Sequence, residues 1–272
     1  MAFTALVSAK SSGVTTTALA LALSSPKRTL LAECDPAGGT IRTGYLQGHT
    51  TAAVGLHRLA TAQREGTLAE VFEQHLVPLD QAGHRLLLPG LTDPTQTPSL
   101  TGTWDPLHRL LRVMEEDGYD VLVDAGRTVV ESSTSINSTY SPAPLLRRAD
   151  LVLLVVRAST QSVAAAAPVV RVLREDLDRH GTGSGALRLA VIEDGPLKAG
   201  QIAGALNVPV VATLPYDPAT ASALGSGGTV RGRFELAPLI RAARTAHEQL
   251  TLDATRRRIQ LAPRPGQEAA RV

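Results

Sequence analysis

The stretch SAKSSGVTTTALALAL, residues 8–23, joins a short apolar run to a helical pattern through a turn that holds Gly13 and leads into three threonines. A junction of this kind suits phosphate chemistry. A phosphate-binding loop needs a strand, a glycine-containing turn whose amides point inward, a lysine for the β- and γ-phosphates, and a Ser or Thr hydroxyl for magnesium at the helix start. TALVS (4–8) supplies the strand and Thr15-Thr16-Thr17-Ala18-Leu19 the helix start, but the lysine is missing from its usual place. Two carboxylates stand at the ends of other apolar runs: Asp35 in ECDPAGG (33–39) and Asp124 in YDVLVDAG (119–126). Plainer readings stand beside this one. Threonine is a good helix N-cap, and Asp35 and Asp124 also suit strand ends where they make structural bonds only. The seven histidines and the single Cys34 show no metal-ligand spacing. The SSTS run at 132–135 lacks the elbow that would make one of its serines a nucleophile.

Positioning such residues requires alternating strands and helices. Seven short runs are apolar throughout: TALVS (4–8), TLLAE (29–33), RLLLP (85–89), DVLVD (120–124), LVLLVV (151–156), LRLAVI (187–192) and VPVVATL (208–214). Runs with so little alternation suit strands covered on both faces. Between them lie TTTALALAL, DPLHRLLRVMEED, QSVAAAAPVVRVLREDL and KAGQIAGAL, which read as helices. The pattern predicts a doubly wound α/β fold with a mostly parallel sheet flanked by helices, whose ligands sit at the carboxyl ends of the strands. Pro168 is expected to bend or restart its helix, and GTGSG (181–185) to form a flexible link. Residues 36–66 read as a mobile connection with a short helix, and APLIRAARTAHEQL, after residue 236, as a terminal helix. The domain is expected to span residues 1–254, with a disordered, Arg-rich tail at 255–272.

At 272 residues, 43% apolar and 3% aromatic, the chain can bury a substantial core built of Leu, Val and Ala. One cysteine cannot form an internal disulfide, and no run reaches the length of a membrane span, so the cytoplasm is the expected location. Residues 256–272 hold five Arg and one Glu; against a net charge of +2, this leaves residues 1–255 two charges negative. The basic character belongs to the tail, which argues against a DNA-binding face on the body.

The loop and the two carboxylate stretches resemble the ParA/MinD family of deviant Walker-A ATPases, whose loop runs K-G-G-x-G-K-T-T-T-A-L. Registering on TTTAL places Gly13 on the last loop glycine, Val14 on the phosphate lysine and Thr15 on the magnesium-binding hydroxyl, with Thr16 beside it. The family's second lysine, which reaches the partner's nucleotide in its dimers, falls on Ala9, with Lys10 one position away. An alternative register sets Lys10 on that second lysine but mismatches the glycine and the helix. Glu33-Cys34-Asp35-Pro36 looks like the family's D-x-D-P motif, which implies that Asp35 orients the attacking water. Tyr119 to Gly126 resembles the Walker-B strand and switch II, which implies that Asp124 holds magnesium through water. Leu214-Pro215-Tyr216-Asp217-Pro218 resembles the loop that borders the adenine in relatives, so Pro215 joins the site. The likeness spans roughly residues 2–250, and is similar also to actinobacterial partition proteins and to the CpaE/TadZ branch that places pilus or secretion machinery.

The resemblance implies a dimeric positioning or scaffold factor with a protein cargo and a degenerate site for ATP or ADP with magnesium. Loss of the lysine implies weak or absent binding and hydrolysis. Two rival readings use other residues. In one the protein is a working ATPase in which Lys10 replaces the missing charge. In the other it is a DNA-binding partition protein, with the Arg-rich tail contacting nucleic acid or an anionic membrane.

Overall fold

The structure, a computed structural model, describes residues 2–50, 53–228 and 233–262. Strands β1 (Phe3–Ser8), β2 (Thr29–Glu33), β3 (Val77–Pro78), β4 (Arg85–Leu88), β5 (Asp120–Arg127), β6 (Val130–Ser132), β7 (Ser135–Ile136), β8 (Leu151–Arg157), β9 (Leu187–Glu193) and β10 (Val210–Pro215) alternate with helices along the chain. The helices are α1 (Val14–Ser24), α2 (Leu56–Glu65), α3 (Leu68–Val71), α4 (Trp104–Glu116), α5 (Ala143–Arg147), α6 (Thr160–His180), α7 (Ala199–Leu206), α8 (Pro218–Ser226) and α9 (Pro238–Leu261). Eight strands form one sheet in the order β10-β9-β8-β1-β5-β2-β4-β3, parallel except for the edge pair β3–β4, and β6–β7 make a separate hairpin. All seven apolar runs are strands of this sheet, and the doubly wound architecture follows.

The two-residue period of each strand divides the core into two layers. Phe3, Ala5 and Val7 of β1, Val121 and Val123 of β5, and Val152 and Leu154 of β8 pack with Trp104, Leu107 and Leu173 on one face. Leu6, Leu122, Leu153 and Val155 pack on the other with α1 and α9, through Leu19, Leu21, Ile240 and Ala243. The same alternation carries the charges. In β5, Asp120 and Asp124 lie two residues before and two residues after Leu122, so both fall on the face covered by α1 and α9.

Three expectations are corrected. Pro168 does not restart its helix, since it lies inside a continuous α6. Its ring stands on the exposed side of the helix, where the carbonyl left without a partner meets water, while Val169, Val170 and Leu173 anchor the other side in the core. Residues 36–49 are turns, but they are tied down: Glu33 Oε1 accepts the amides of Thr40 (2.6 Å) and Ile41 (2.9 Å), and Ile41 is buried. The boundary expected after residue 254 is not a boundary, because α9 runs on to Leu261. There Ala254 and Arg257 are buried, Arg257 donates to the Thr182 carbonyl, and Arg258 bridges Asp150 and Glu115 (2.7 Å). An arginine run that reads as solvated becomes structural when buried acids wait for it. The rest of the expected tail, 263–272, lies outside the described residues.

Candidate nucleotide site

β1 ends at Ser8, and Gly13 (φ 86°, ψ 33°) takes the left-handed conformation that turns the chain into α1. This is the one position in the loop where glycine's freedom is required. Lys10 and Ser11 have no positive φ, so neither position of the loop calls for glycine. The first turn of α1 has no side-chain cap and no acidic residue, leaving its amides and the positive end of its dipole for water or an anion.

Two cavities adjoin this turn. One, of about 410 Å³, is lined by Ser11, Gly13, Val14, Thr15, Asp35 and Arg127, among others. The second, of about 270 Å³, shares Ser12, Gly13 and Thr16 with the first and extends to Arg157, Pro215 and Tyr216. The pair has the outline of a phosphate site leading into a base site, at the carboxyl ends of β1, β5, β9 and β10. Asp217 fixes the loop after β10: its Oδ1 accepts the Thr220 amide (3.1 Å) and its Oδ2 the Thr220 hydroxyl (2.6 Å), which caps α8.

Gly13, Val14, Thr15, Thr16 and Asp35 are thus brought together around the first cavity, and Pro215 borders the second. Asp124 lies beneath, fully buried. Lys10 is exposed and lines neither cavity. Val14 is 5% exposed, one side on the cavity and the rest packed with Ala18, Leu19 and their neighbours.

Three acids crowd the end of β2 and β5. Burial pushes Asp124 up to about 7, with Glu33 and Asp35 pushing the same way and the Thr15 hydroxyl and Gly126 amide opposing. Its Oδ1 accepts the Gly126 amide (3.0 Å), while its buried Oδ2 has no hydrogen-bond partner among the described residues. Burial also raises Asp35, against the Ala37 amide and the charge of Arg127. The Asp35 carboxyl lies against Gly126 (φ 61°) so closely that a Cβ there would overlap it. Glu33 is raised by burial too, although Ile41, Gly90 and Thr40 amides hold its carboxylate. Magnesium with a nucleotide fits these residues. An acceptor atom buried without a donor, next to a hydroxyl at a helix start, is the arrangement a cation or its water completes. No group of three or more His, Cys, Asp or Glu suited to a metal occurs among the described residues.

Sequence reasoning missed Arg127 and Glu33. Arg127 follows the Asp124-Ala125-Gly126 motif directly, so a cation at the end of a Walker-B-like strand was available as a signal. Glu33 gave none beyond a carboxylate in an apolar run. Among the described residues no helix is long and apolar enough to cross a membrane.

No protein-family model matches the sequence, and no curated protein matches it significantly. Solved structures do resemble it. The MinD cell division protein of Aquifex aeolicus aligns over 91% of this chain and 96% of its own at 19% identity, with a TM-score of 0.62. A ParA family ATPase from Chlorobium tepidum TLS aligns over 92% and 97% at 15% identity, with a TM-score of 0.62. The septum site-determining protein MinD of Pyrococcus horikoshii OT3, complexed with Mg-ADP, aligns over 93% and 97% at 15% identity, with a TM-score of 0.65. At these identities the comparison speaks to architecture, and the chain has the P-loop fold shared by MinD and ParA ATPases.

Proposed function

We propose that this chain is a ParA/MinD-like positioning or scaffold protein whose site binds ATP or ADP with magnesium weakly and hydrolyses ATP very slowly or not at all. Val14 carries the reading: at the first helical position after Gly13, facing the phosphate cavity, stands an apolar side chain with no donor. A charge-assisted hydrogen bond to phosphate contributes about 1.5–3 kcal/mol, so its loss weakens affinity by roughly one to two powers of ten. The transition state, with more charge on the same oxygens, loses at least as much.

The remaining parts retain their places. The uncapped amides of α1 cradle the phosphates, and the second cavity receives the base beside Pro215 and Tyr216. Thr15 and Asp124 hold magnesium, Asp124 through water, and Asp35 faces the position of an attacking water. Magnesium, when bound, neutralises phosphate charge. The protein self-associates through this face, as a homodimer that closes two loops against each other, and carries a protein cargo. The Pyrococcus neighbour bound to Mg-ADP and an Aquifex aeolicus MinC:MinD complex support the nucleotide and the partner, respectively.

Phosphate release from ATP, measured at millimolar substrate in wild type, Asp35→Ala and Val14→Lys, tests the reading. The expected wild-type rate is indistinguishable from that of Asp35→Ala. Steady turnover that Asp35→Ala abolishes contradicts it.

A further inference from the structure

The cavity at the start of α1 lacks a lysine at Val14, yet it is not without a cation. Arg127, the last residue of β5, lines the same cavity as Gly13, Val14, Thr15 and Asp35. β5 pairs with β1 in parallel, with Arg127 beside Ser8 in the ladder, so the two chain segments that leave the sheet at this point are the loop and Arg127. Arg127 is exposed, and its guanidinium makes no hydrogen bond or salt bridge among the described residues; its resolved influence is the charge it places on Asp35. This contrasts with Arg147, Arg157, Arg188 and Arg258, each held by a carboxylate. Lys10, the other cation near the loop, stays outside both cavities.

We propose that Arg127 is the residue that binds the terminal phosphates of the nucleotide, standing in from β5 for the lysine that α1 lacks, and that Lys10 has no such part. The inference rests on the weak nucleotide binding proposed above and names the group responsible for what affinity remains. Guanidinium chemistry fits the task. It stays charged at all relevant pH values and offers paired donors in a planar fork that matches two phosphate oxygens. Its route differs from that of a loop lysine. The charge arrives from the switch strand at the side of the cavity bearing Asp35, so phosphate and Asp35 compete for one cation. The affected ligands are those with a β- or γ-phosphate, whereas adenosine, which reaches only the second cavity, is indifferent to Arg127.

Calorimetric titrations of Mg-ATP, magnesium tripolyphosphate and adenosine into wild type, Arg127→Ala, Arg127→Lys, Lys10→Ala and the double variant Val14→Lys with Arg127→Ala test this. Circular dichroism establishes that each variant is folded. Arg127→Ala is expected to weaken Mg-ATP and tripolyphosphate by about tenfold or more, with adenosine unchanged. Arg127→Lys is expected to retain part of the affinity, Lys10→Ala all of it, and Val14→Lys to rescue Arg127→Ala. Wild-type binding of Mg-ATP that Arg127→Ala leaves intact overturns the role of Arg127 while the nucleotide reading stands. A loss in Lys10→Ala instead assigns the cation to Lys10 and overturns it as well. Failure of wild type to bind either Mg-ATP or tripolyphosphate at millimolar concentration overturns both readings together.

Discussion

Val14 presents an isopropyl group to the cavity at the start of α1, the position that the proposed reading assigns to the phosphate-binding lysine. Replacing it with lysine should tighten Mg-ATP by about tenfold or more, because the helix start, Thr15 and Gly13 already have the required conformation. An unchanged dissociation constant in a folded Val14→Lys protein would mean that the loop itself is misaligned. A second single-residue test lies at Gly126. Its φ of 61° and its contact with the Asp35 carboxyl leave no space for a methyl group. Gly126→Ala should cost about 1–3 kcal/mol of stability in urea unfolding and displace Asp35 from the cavity. A glycine turn, a helix-start hydroxyl and acids at the ends of apolar runs mark Gly13, Thr15, Asp35 and Asp124 in the sequence, and the fold gathers Gly13, Thr15 and Asp35 around one cavity with Asp124 buried at the end of β5. Which of Lys10 and Arg127 reaches the cavity was not readable. Side-chain direction in a loop depends on the path of the turn, whereas Arg127 is aimed by strand pairing that only the folded sheet defines.

Helix α9 and the start of β5 carry charges whose partners spacing does not reveal. α9 lays Arg258 between Glu115 and Asp150, whose carboxylates hold the guanidinium firmly charged, and Glu115 is 4% exposed. Truncation after Ala254 removes Arg257 and Arg258 and leaves the buried Glu115 with Arg112 (2.9 Å) in place of two guanidinium partners. It should cost roughly 1–3 kcal/mol, toward the low end for a buried pair because Arg258 is partly exposed, and lower Tm by several degrees in calorimetry. An unchanged Tm would return the end of α9 to the status of a dispensable tail. Asp120, at the start of β5, joins the same helix. It accepts from the Ala2 amide (2.9 Å) and meets His247 Nε2 (2.9 Å) from α9. Burial works to raise its carboxyl, but the hydrogen bond and charge of His247, with Lys27 and the Ala2 amide, outweigh this and leave it below the usual range. A carboxyl lowered by folding stabilises the fold above its unfolded value near 4, and that contribution disappears as pH falls through the folded value. Asp120→Asn should therefore reduce stability near neutral pH by about 1–3 kcal/mol and flatten its acid dependence, as measured by urea unfolding across the acid range. The central strands β1, β2, β5 and β8 were readable because each is buried on both faces. The buried pairs were not, because they join residues more than a hundred positions apart.

The assembled molecule places Gly13, Thr15, Asp35, Asp124 and Arg127 at the carboxyl ends of β1, β2 and β5, with Pro215 at the end of β10. This is the face through which the proposed homodimer closes. Light scattering at high protein concentration, with and without Mg-ATP, should report a dimer, whereas a monomer under both conditions contradicts that arrangement. The parallel topology was foreseeable from seven apolar runs separated by helical segments, but the hairpin β6–β7 and the short helices α5 and α8 were not, since their sequences are too brief to show a period. The central claim is that this fold keeps the nucleotide site while an apolar residue at its catalytic corner removes most of its grip. Its most direct test is a calorimetric titration of Mg-ATP into the wild-type protein at physiological salt. Binding in the range of about 0.1–1 mM is the result the account predicts. Micromolar binding by wild type, with Val14 in place and without help from a lysine, would contradict it.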